Sequence, residues 1–132
     1  MHKTEHRVIY ADTDAGGVVY YANYLRWFEA GRRELLRSLD IDYSALQRKG
    51  ILLPVVEAHC NYHKPARYDD IVVVETGIKE VKNKSVKFEN TVVRKKGGKI
   101  LASGYTVNVF IDSKKMKSIE IPKGIRMKLK IG

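Results

Sequence analysis

Apolar residues return along this chain at two periods, and the change from one to the other divides it. Over Asn23–Leu39 the positions Leu25, Phe28, Leu35, Leu36 and Leu39 recur at helical spacing, with Tyr24 and Trp27 widening the stripe. Arg26, Glu29, Arg33 and Arg37 take the other face, with Glu29 and Arg33 at the i,i+4 spacing of a helical ion pair. A helix of this span is about 25 Å long at 1.5 Å per residue. Gly31 falls within the apolar stripe, where glycine costs roughly 1 kcal/mol of helix propensity. That cost predicts a close approach between the helix and a sheet.

Elsewhere the period is two. Glu5–Ala11 reads as a short strand with Val8 and Tyr10 on one side and Arg7 and Ile9 on the other. Asp42–Lys49 reads as a second, short helix closed by Gly50. After Pro54, strands are expected at Val55–Tyr62, Ile71–Val81, Ser85–Arg94, Lys99–Ile111 and, weakly patterned, Ile125–Ile131. Tyr68-Asp69-Asp70, Lys82-Asn83-Lys84 and Lys96-Gly97-Gly98-Lys99 separate them as turns, the last a two-glycine hairpin signal. Long consecutive strands after one apolar-striped helix indicate an α+β domain in which one face of an antiparallel sheet covers the helix. Residues 1–132 read as one domain, with no repeat, linker or low-complexity segment.

Composition narrows the class. With 44% hydrophobic and 30% charged residues the chain reads as globular, not disordered. No apolar run approaches the ~18 residues of a membrane span. The single cysteine, Cys60, excludes an intrachain disulfide, and the N-terminus lacks a signal-peptide pattern, so the cytoplasm is the default expectation. The net charge is +10, and Lys and Arg are scattered through the chain with local density at Lys79–Lys87, Arg94–Lys99 and Lys114–Lys130, which suits solvated strand edges and turns better than one binding stripe.

Candidate chemistry gathers just before the long helix, in Asp12-Thr13-Asp14-Ala15-Gly16-Gly17-Val18-Val19-Tyr20-Tyr21-Ala22-Asn23-Tyr24. Two carboxylates, a double glycine and a helix N-terminus place charge beside free backbone N–H groups, which favour a carboxylate, a phosphate or a developing oxyanion. Asn23 is expected to cap the helix with its side chain. From residue types alone, Asp12 and Asp14 read equally well as turn and capping residues. His2, His6, His59 and His63 form no metal-ligand pattern; His59 and His63 share a strand face with Val55 and Glu57 and suit a surface or interface role. Cys60, on the other face with Val56, Ala58 and Tyr62, suits packing as a small hydrophobe, not nucleophilic chemistry.

The run Asp12 to Glu29 resembles the signature of the 4-hydroxybenzoyl-CoA thioesterase-like acyl-CoA thioesterases of the hotdog-fold superfamily, and is most like the branch found with bacterial Tol-Pal genes. A second segment, Pro65-Ala66-Arg67-Tyr68-Asp69-Asp70, lies where that family carries the same kind of sequence, and the element order agrees from Glu5 to about Pro122. The resemblance implies a curved antiparallel sheet wrapped around the central helix, and hydrolysis of an acyl-CoA or acyl carrier protein thioester. It implies Asp14 as general base or nucleophile, the Tyr21 backbone N–H as the donor to the thioester carbonyl, and substrate contacts from Gly17 and Val18. Many family members carry His where this chain has Tyr21, which bears on acyl specificity. Lys82, Lys84 and Ser85 match the place where the family puts basic residues on the phosphates of coenzyme A. No metal and no cofactor is implied, coenzyme A being part of the substrate. A homodimer or homotetramer is implied.

Asp12 is expected to hold the loop through side-chain-to-backbone hydrogen bonds. Two other readings stay open. A hotdog dehydratase would pair a histidine with an acid, and no histidine accompanies Asp14 within the motif. A non-catalytic basic module for acyl carrier protein or nucleic acid would suit the charge, but Tyr62, Tyr68, Phe88, Tyr105 and Phe110 are scattered, whereas single-strand binders interleave aromatics with basic residues on an open sheet face. Nucleic acid is therefore not the expected partner.

Overall fold

A computed structural model describes residues 1–131, so Gly132 of the 1–132 reading lies outside the described residues. Strands β1 (His2–Arg7), β3 (Val55–Tyr62), β4 (Ile71–Val81), β5 (Ser85–Arg94) and β6 (Ile100–Val109) form one antiparallel sheet in the order β1-β4-β5-β6-β3. Helix α1 (Asn23–Ser38) lies across its inner face and touches all five strands. Helix α2 (Tyr43–Arg48) follows, its N-cap Asp42 accepting from the Ser44 N–H at 3.0 Å. Gly50 at φ +80° turns the chain out of it, as the capping signal predicts. This single long helix wrapped by an antiparallel sheet is the hotdog fold.

Alternation along the strands explains the core. In β4 and β5 alternate side chains face α1: Val72, Val74 and Thr76 on one, Val86, Phe88, Asn90 and Val92 on the other, all buried. Gly31 sits where the helix comes closest, because a Cβ there would run into the Thr76 Oγ1 and lie 3.1 Å from Val74 Cγ1. The glycine in the stripe is thus explained by contact. Cys60 is half-buried against the same core, and burial pushes its thiol up.

The core is not uniformly apolar. One cluster gathers Trp27, Phe28, Val72 and Leu101, and a second gathers Leu35, Leu36, Phe88 and Phe110. Buried polar side chains include Arg32, Thr76, Asn90, Thr106 and Asn108. Thr76 Oγ1 donates to Asn90 Oδ1 at 3.1 Å, Arg32 donates to Thr106 Oγ1 at 3.2 Å, and Asn108 Nδ2 donates to the Leu53 carbonyl at 3.0 Å. Such partners are needed wherever polar groups leave water.

Several expectations require correction. The first strand runs His2–Arg7, not Glu5–Ala11: its pairing with β4 ends at Arg7–Ile71, and Tyr10–Asp12 then curls into a 3-10 turn. Leu25, placed in the buried stripe, is 37% exposed, while Arg32 is buried. The ion pair on α1 joins Glu34 to Arg37 at 2.9 Å; Glu29 and Arg33 are not paired. Lys99–Ile111 divides at Phe110, where the chain leaves the main sheet so that β7 (Ile111–Asp112) can join β2 (Ile51–Leu52) and β8 (Lys117–Ser118) in a small sheet ordered β2-β7-β8. Ile125–Ile131 is not a strand but part of α3 (Lys123–Ile131), opened by Pro122, with Ile121, Ile125 and Leu129 spaced by four along the side that packs on the second cluster.

Candidate active site

The loop before α1 is tied down at every turn. Thr13 and Val19 form an isolated antiparallel bridge, and the Asp14 N–H donates to the Val18 carbonyl at 2.8 Å. Gly17 at φ +83° closes the tip, its N–H donating to the Asp14 carbonyl at 3.0 Å; no atom lies within 4 Å of where its Cβ would sit, so conformation and not crowding requires glycine. Asp14 Oδ1 accepts the Gly16 N–H at 2.8 Å. The carboxylate is exposed, and its Oδ2 carries no protein partner among the described residues.

Asp12 is the anchor. Its carbonyl accepts the Tyr20 N–H and the Asn23 side-chain amide, both at 2.8 Å. Its Oδ2 accepts the Ile9 N–H at 3.0 Å and lies 2.9 Å from His6 Nε2, and Arg26 Nη1 stands 3.9 Å from Oδ1. Burial alone would raise this carboxyl, but the hydrogen bonds from His6 and the Ile9 N–H and the charges of His6 and Arg26 outweigh it and hold the group below its usual range. Asn23 therefore does not cap the helix as expected: Ala22 stands at the N-cap without a side-chain bond, and the Asn23 amide is spent on Asp12.

A depressed folded pKa means that Asp12 stabilises the fold above the range where an unfolded aspartate titrates, near 3.9, and that this stabilisation is lost as pH falls through the folded value. Asp12→Asn is expected to cost about 1.5–3 kcal/mol at neutral pH, the scale of hydrogen bonds to a charged group. Its Tm deficit should shrink toward pH 3, which thermal melts at pH 7 and pH 3 would check. A deficit independent of pH would show that the charge is not what matters.

The second motif is a brace for the same loop. Asp70 Oδ2 accepts from Arg94 Nε at 3.2 Å and from the Arg67 N–H at 2.9 Å, and Arg94 Nη2 donates to the Pro65 carbonyl at 2.9 Å. This sets Ala66 so that its carbonyl receives the Val19 N–H at 2.9 Å while its N–H donates to the Tyr24 hydroxyl at 3.1 Å. The two motifs therefore meet at Ala66, which is fully buried.

Asp14, Val18 and Tyr21 line one cleft of about 380 Å³, with Tyr24, Tyr62, His63 and Pro65 around them. Among the described residues no acceptor engages the Tyr21 N–H, while the Tyr21 carbonyl receives the Tyr62 hydroxyl at 2.8 Å. Burial first, then the Cys60 thiol and the neighbouring Tyr24 and Tyr21, push Tyr62 up to about 12, so its hydroxyl remains a donor at neutral pH. Gly17 is outside the lining. Tyr62 and His63 were not legible as site residues. The signal that could have found them is their position directly before the Pro65-Ala66 motif. His63 Nε2 is 2.8 Å from Ser103 Oγ, so a histidine does share the cleft with Asp14, although none does in the motif.

Lys82, Lys84 and Ser85 are placed elsewhere. Lys82 and Ser85 line a separate cavity of about 180 Å³ with Glu57, Glu80 and Lys87. The turn is well held: the Lys82 N–H donates to the Ser85 carbonyl at 2.8 Å, and Arg126 of α3 donates to the Lys82 and Asn83 carbonyls at 2.8 and 2.9 Å. Lys82 Nζ lies 3.9 Å from Glu80, a solvent-exposed pair. Among the described residues no cluster of three His, Cys, Asp or Glu could hold a metal ion, and no helix is long and apolar enough to cross a membrane.

Comparison with known proteins places this architecture. The thioesterase-like superfamily model matches residues 8–129. The acyl-CoA thioesterase YbgC of Haemophilus influenzae is 40% identical over 122 residues, which are 91% of this chain and 88% of that one. Among solved structures, the protein TT1821 of Thermus thermophilus superposes with a TM-score of 0.92 at 30% identity, covering 99% of this chain and 98% of that one. The BH1999 gentisyl-coenzyme A thioesterase superposes with a TM-score of 0.87 at 32% identity, over 96% and 98% of the two chains. With both motifs meeting on one cleft and matches of this extent, the chain belongs to the thioesterase-like superfamily and is a thioester hydrolase of the acyl-CoA thioesterase kind.

Proposed function

We propose that the chain hydrolyses an acyl-coenzyme A, or an acyl carrier protein thioester, with Asp14 as the catalytic carboxylate and the Tyr21 N–H as the oxyanion donor. One observation carries this reading: an exposed carboxylate with a free oxygen and an unengaged N–H at the start of α1 line the same cleft. The thioester carbonyl would seat its oxygen on the Tyr21 N–H, where the helix N-terminus favours developing negative charge. Asp14 then either takes a proton from water as the water oxygen bonds to the acyl carbon, or bonds to that carbon itself before hydrolysis. The C–S bond breaks, and the thiolate leaves and is protonated. No cofactor enters these steps. Val18 and the three tyrosines supply apolar walls for the acyl group. A panel of acyl-CoA substrates followed by free-thiol release tests the reading, and absence of turnover on every member would sink it.

The same reading needs a second copy of the chain. The strand order leaves β3 with an open edge on which Val55, Val56 and Tyr62 are exposed, and an open apolar edge invites pairing. Lys82, Lys84 and Ser85 share no cavity with Asp14 in one chain. If they hold the phosphates of the substrate, they come from the partner in a homodimer or homotetramer. Lys82→Ala combined with Lys84→Ala is then expected to raise KM for acyl-CoA more than it lowers kcat, because remote charge contacts bind ground and transition states alike. An unchanged KM at low ionic strength would remove these lysines from the site.

His63 in the same cleft as Asp14 gives the dehydratase reading its one supporting observation. Incubation with an enoyl-CoA, read as loss of the conjugated double bond without thiol release, would distinguish it. The inner sheet face on which a nucleic-acid strand would stack is taken by α1, which favours the enzymatic readings over a nucleic-acid module.

A further inference from the structure

At the other end of α1, where it meets α2, a cavity of about 130 Å³ is lined by Arg32, Arg33, Arg37, Tyr43 and Ser44, with Glu29 and Asp42 as the acidic members. A single water needs at least ~10–15 Å³ of such space and takes about 30 Å³ in the liquid, so the cavity admits several waters or one tetrahedral oxyanion. None of its lining residues belongs to the cleft of Asp14.

Arg32 is the unusual group. It is only 8% exposed, yet among the described residues no carboxylate comes within 4.0 Å of its guanidinium, and Thr106 Oγ1 is its one hydrogen-bond partner. The Phe88 ring lies 5.9 Å from its Cζ. A buried charge is costly unless it is paired and hydrogen-bonded. The remaining Arg32 nitrogens are neither bonded nor sealed off: Asn90 Nδ2 is the one sealed side-chain nitrogen or oxygen without a partner among the described residues. They therefore keep some access to solvent, and the cavity is the space that Arg32 lines.

The surroundings do not pair Arg32 directly. Asp42 Oδ1 is occupied by the Ser44 N–H as the cap of α2. Arg37 is engaged with Glu34 on the exposed flank, and Arg33 lies over the Tyr43 ring at 5.5 Å, which keeps its guanidinium at the cavity wall. Burial pulls the Arg32 guanidinium down from its ordinary range, and the charge of Glu29 pushes it back up. With Arg37 answered by Glu34, the group left without a carboxylate partner is the buried Arg32, and the planar fork of arginine matches the oxygens of a phosphate group.

We propose that the α1–α2 cavity binds a phosphate-type oxyanion through Arg32, with Arg33 and Arg37 at its mouth. The ion would complete the coordination of a guanidinium that the protein buries but does not neutralise. The group could come from free phosphate or from the phosphates of coenzyme A, and the two sources are separable.

The test is thermal unfolding of the full chain titrated with sodium phosphate at constant ionic strength held with chloride, repeated with coenzyme A. Phosphate is expected to raise Tm saturably, since it binds the folded state alone, where chloride does not. Arg33→Ala with Arg37→Ala, both at exposed positions, should weaken the apparent Kd at least ~10-fold, as loss of charge-assisted bonds requires. Arg32→Met should abolish the response while the variant still melts cooperatively. If Arg32→Met does not fold, the paired surface variant carries the test. Lys82→Ala with Lys84→Ala should leave the phosphate response intact, which separates this site from the phosphate contacts of the proposed function. A rise that coenzyme A gives but phosphate does not, lost in the Arg33/Arg37 variant, assigns the site to the cofactor-like phosphates of the substrate. The proposal is overturned if phosphate does no more than chloride and coenzyme A acts only through the lysines, or if the arginine variants respond like the parent.

Discussion

Asp14→Asn is expected to lower kcat at least ~100-fold, the lower end for losing a general base or nucleophile, with Tm little changed. A thioester is already an activated acyl group, so the protein need supply only a positioned carboxylate, an oxyanion donor and a cleft that orders the substrate. The substitution separates charge from structure cleanly here. Asp14 is exposed, and its structural bonds are the Gly16 N–H to Oδ1 and the backbone pair with Val18 and Gly17. Asparagine keeps an Oδ1 in that place and leaves the backbone pair untouched, so the loop should survive and only the negative charge is lost. Asp12→Asn should behave in the opposite sense, costing stability first, because its carboxylate is buried against His6 and the Ile9 N–H. Thiol release under substrate saturation, with melts of both variants, reads the two outcomes. Parental kcat in Asp14→Asn would remove this residue from the chemistry.

The largest loss of stability is expected from Gly104→Ala. Gly104 lies in the middle of β6, paired with Asn90 of β5 on one side and Cys60 of β3 on the other. A Cβ there would collide with the His59 carbonyl oxygen and lie 2.9 Å from its carbon and 3.0 Å from the Cys60 Cα. These are backbone atoms, which cannot swing aside as the end of a long side chain can. The methyl group must therefore push β3 away from β6, at the upper end of the ~1–3 kcal/mol typical of overpacking. For a chain of this length about 3 kcal/mol lowers Tm by roughly 6–15 °C. Turnover should fall with it, since β3 carries Tyr62 into the cleft. Gly124→Ala is the control: nothing lies within 4 Å of its Cβ position, and in helix α3 alanine should be neutral or stabilising by up to ~1 kcal/mol. Equal melting temperatures for Gly104→Ala and the parent would show that the β3–β6 contact is looser than described.

What the amino-acid sequence determined by itself is whatever depends on neighbours along the chain. The span of α1 follows from the recurrence of Phe28, Leu35 and Leu36, and β4 and β5 follow from strict alternation bounded by turn residues. The Asp14 loop is legible for the same reason, because its bridge, Asx turn and positive-φ glycine close within seven residues, Thr13 to Val19. The amphipathic tail misled, since Ile125 and Leu129 fit a weak strand as well as a helix, and only packing on the second core cluster selects the helix. Tertiary structure alone decided that Asn23 serves Asp12 instead of the helix end, that Ala66 joins the two motifs, and that Tyr62 and His63 enter the cleft across more than forty residues of chain. It also decided that Arg32 is buried while Leu25 is exposed. Periodicity places both near the edge of the helix stripe, and which of them leaves water depends on the Thr106 hydroxyl and the Phe88 ring that the sheet brings opposite one of them.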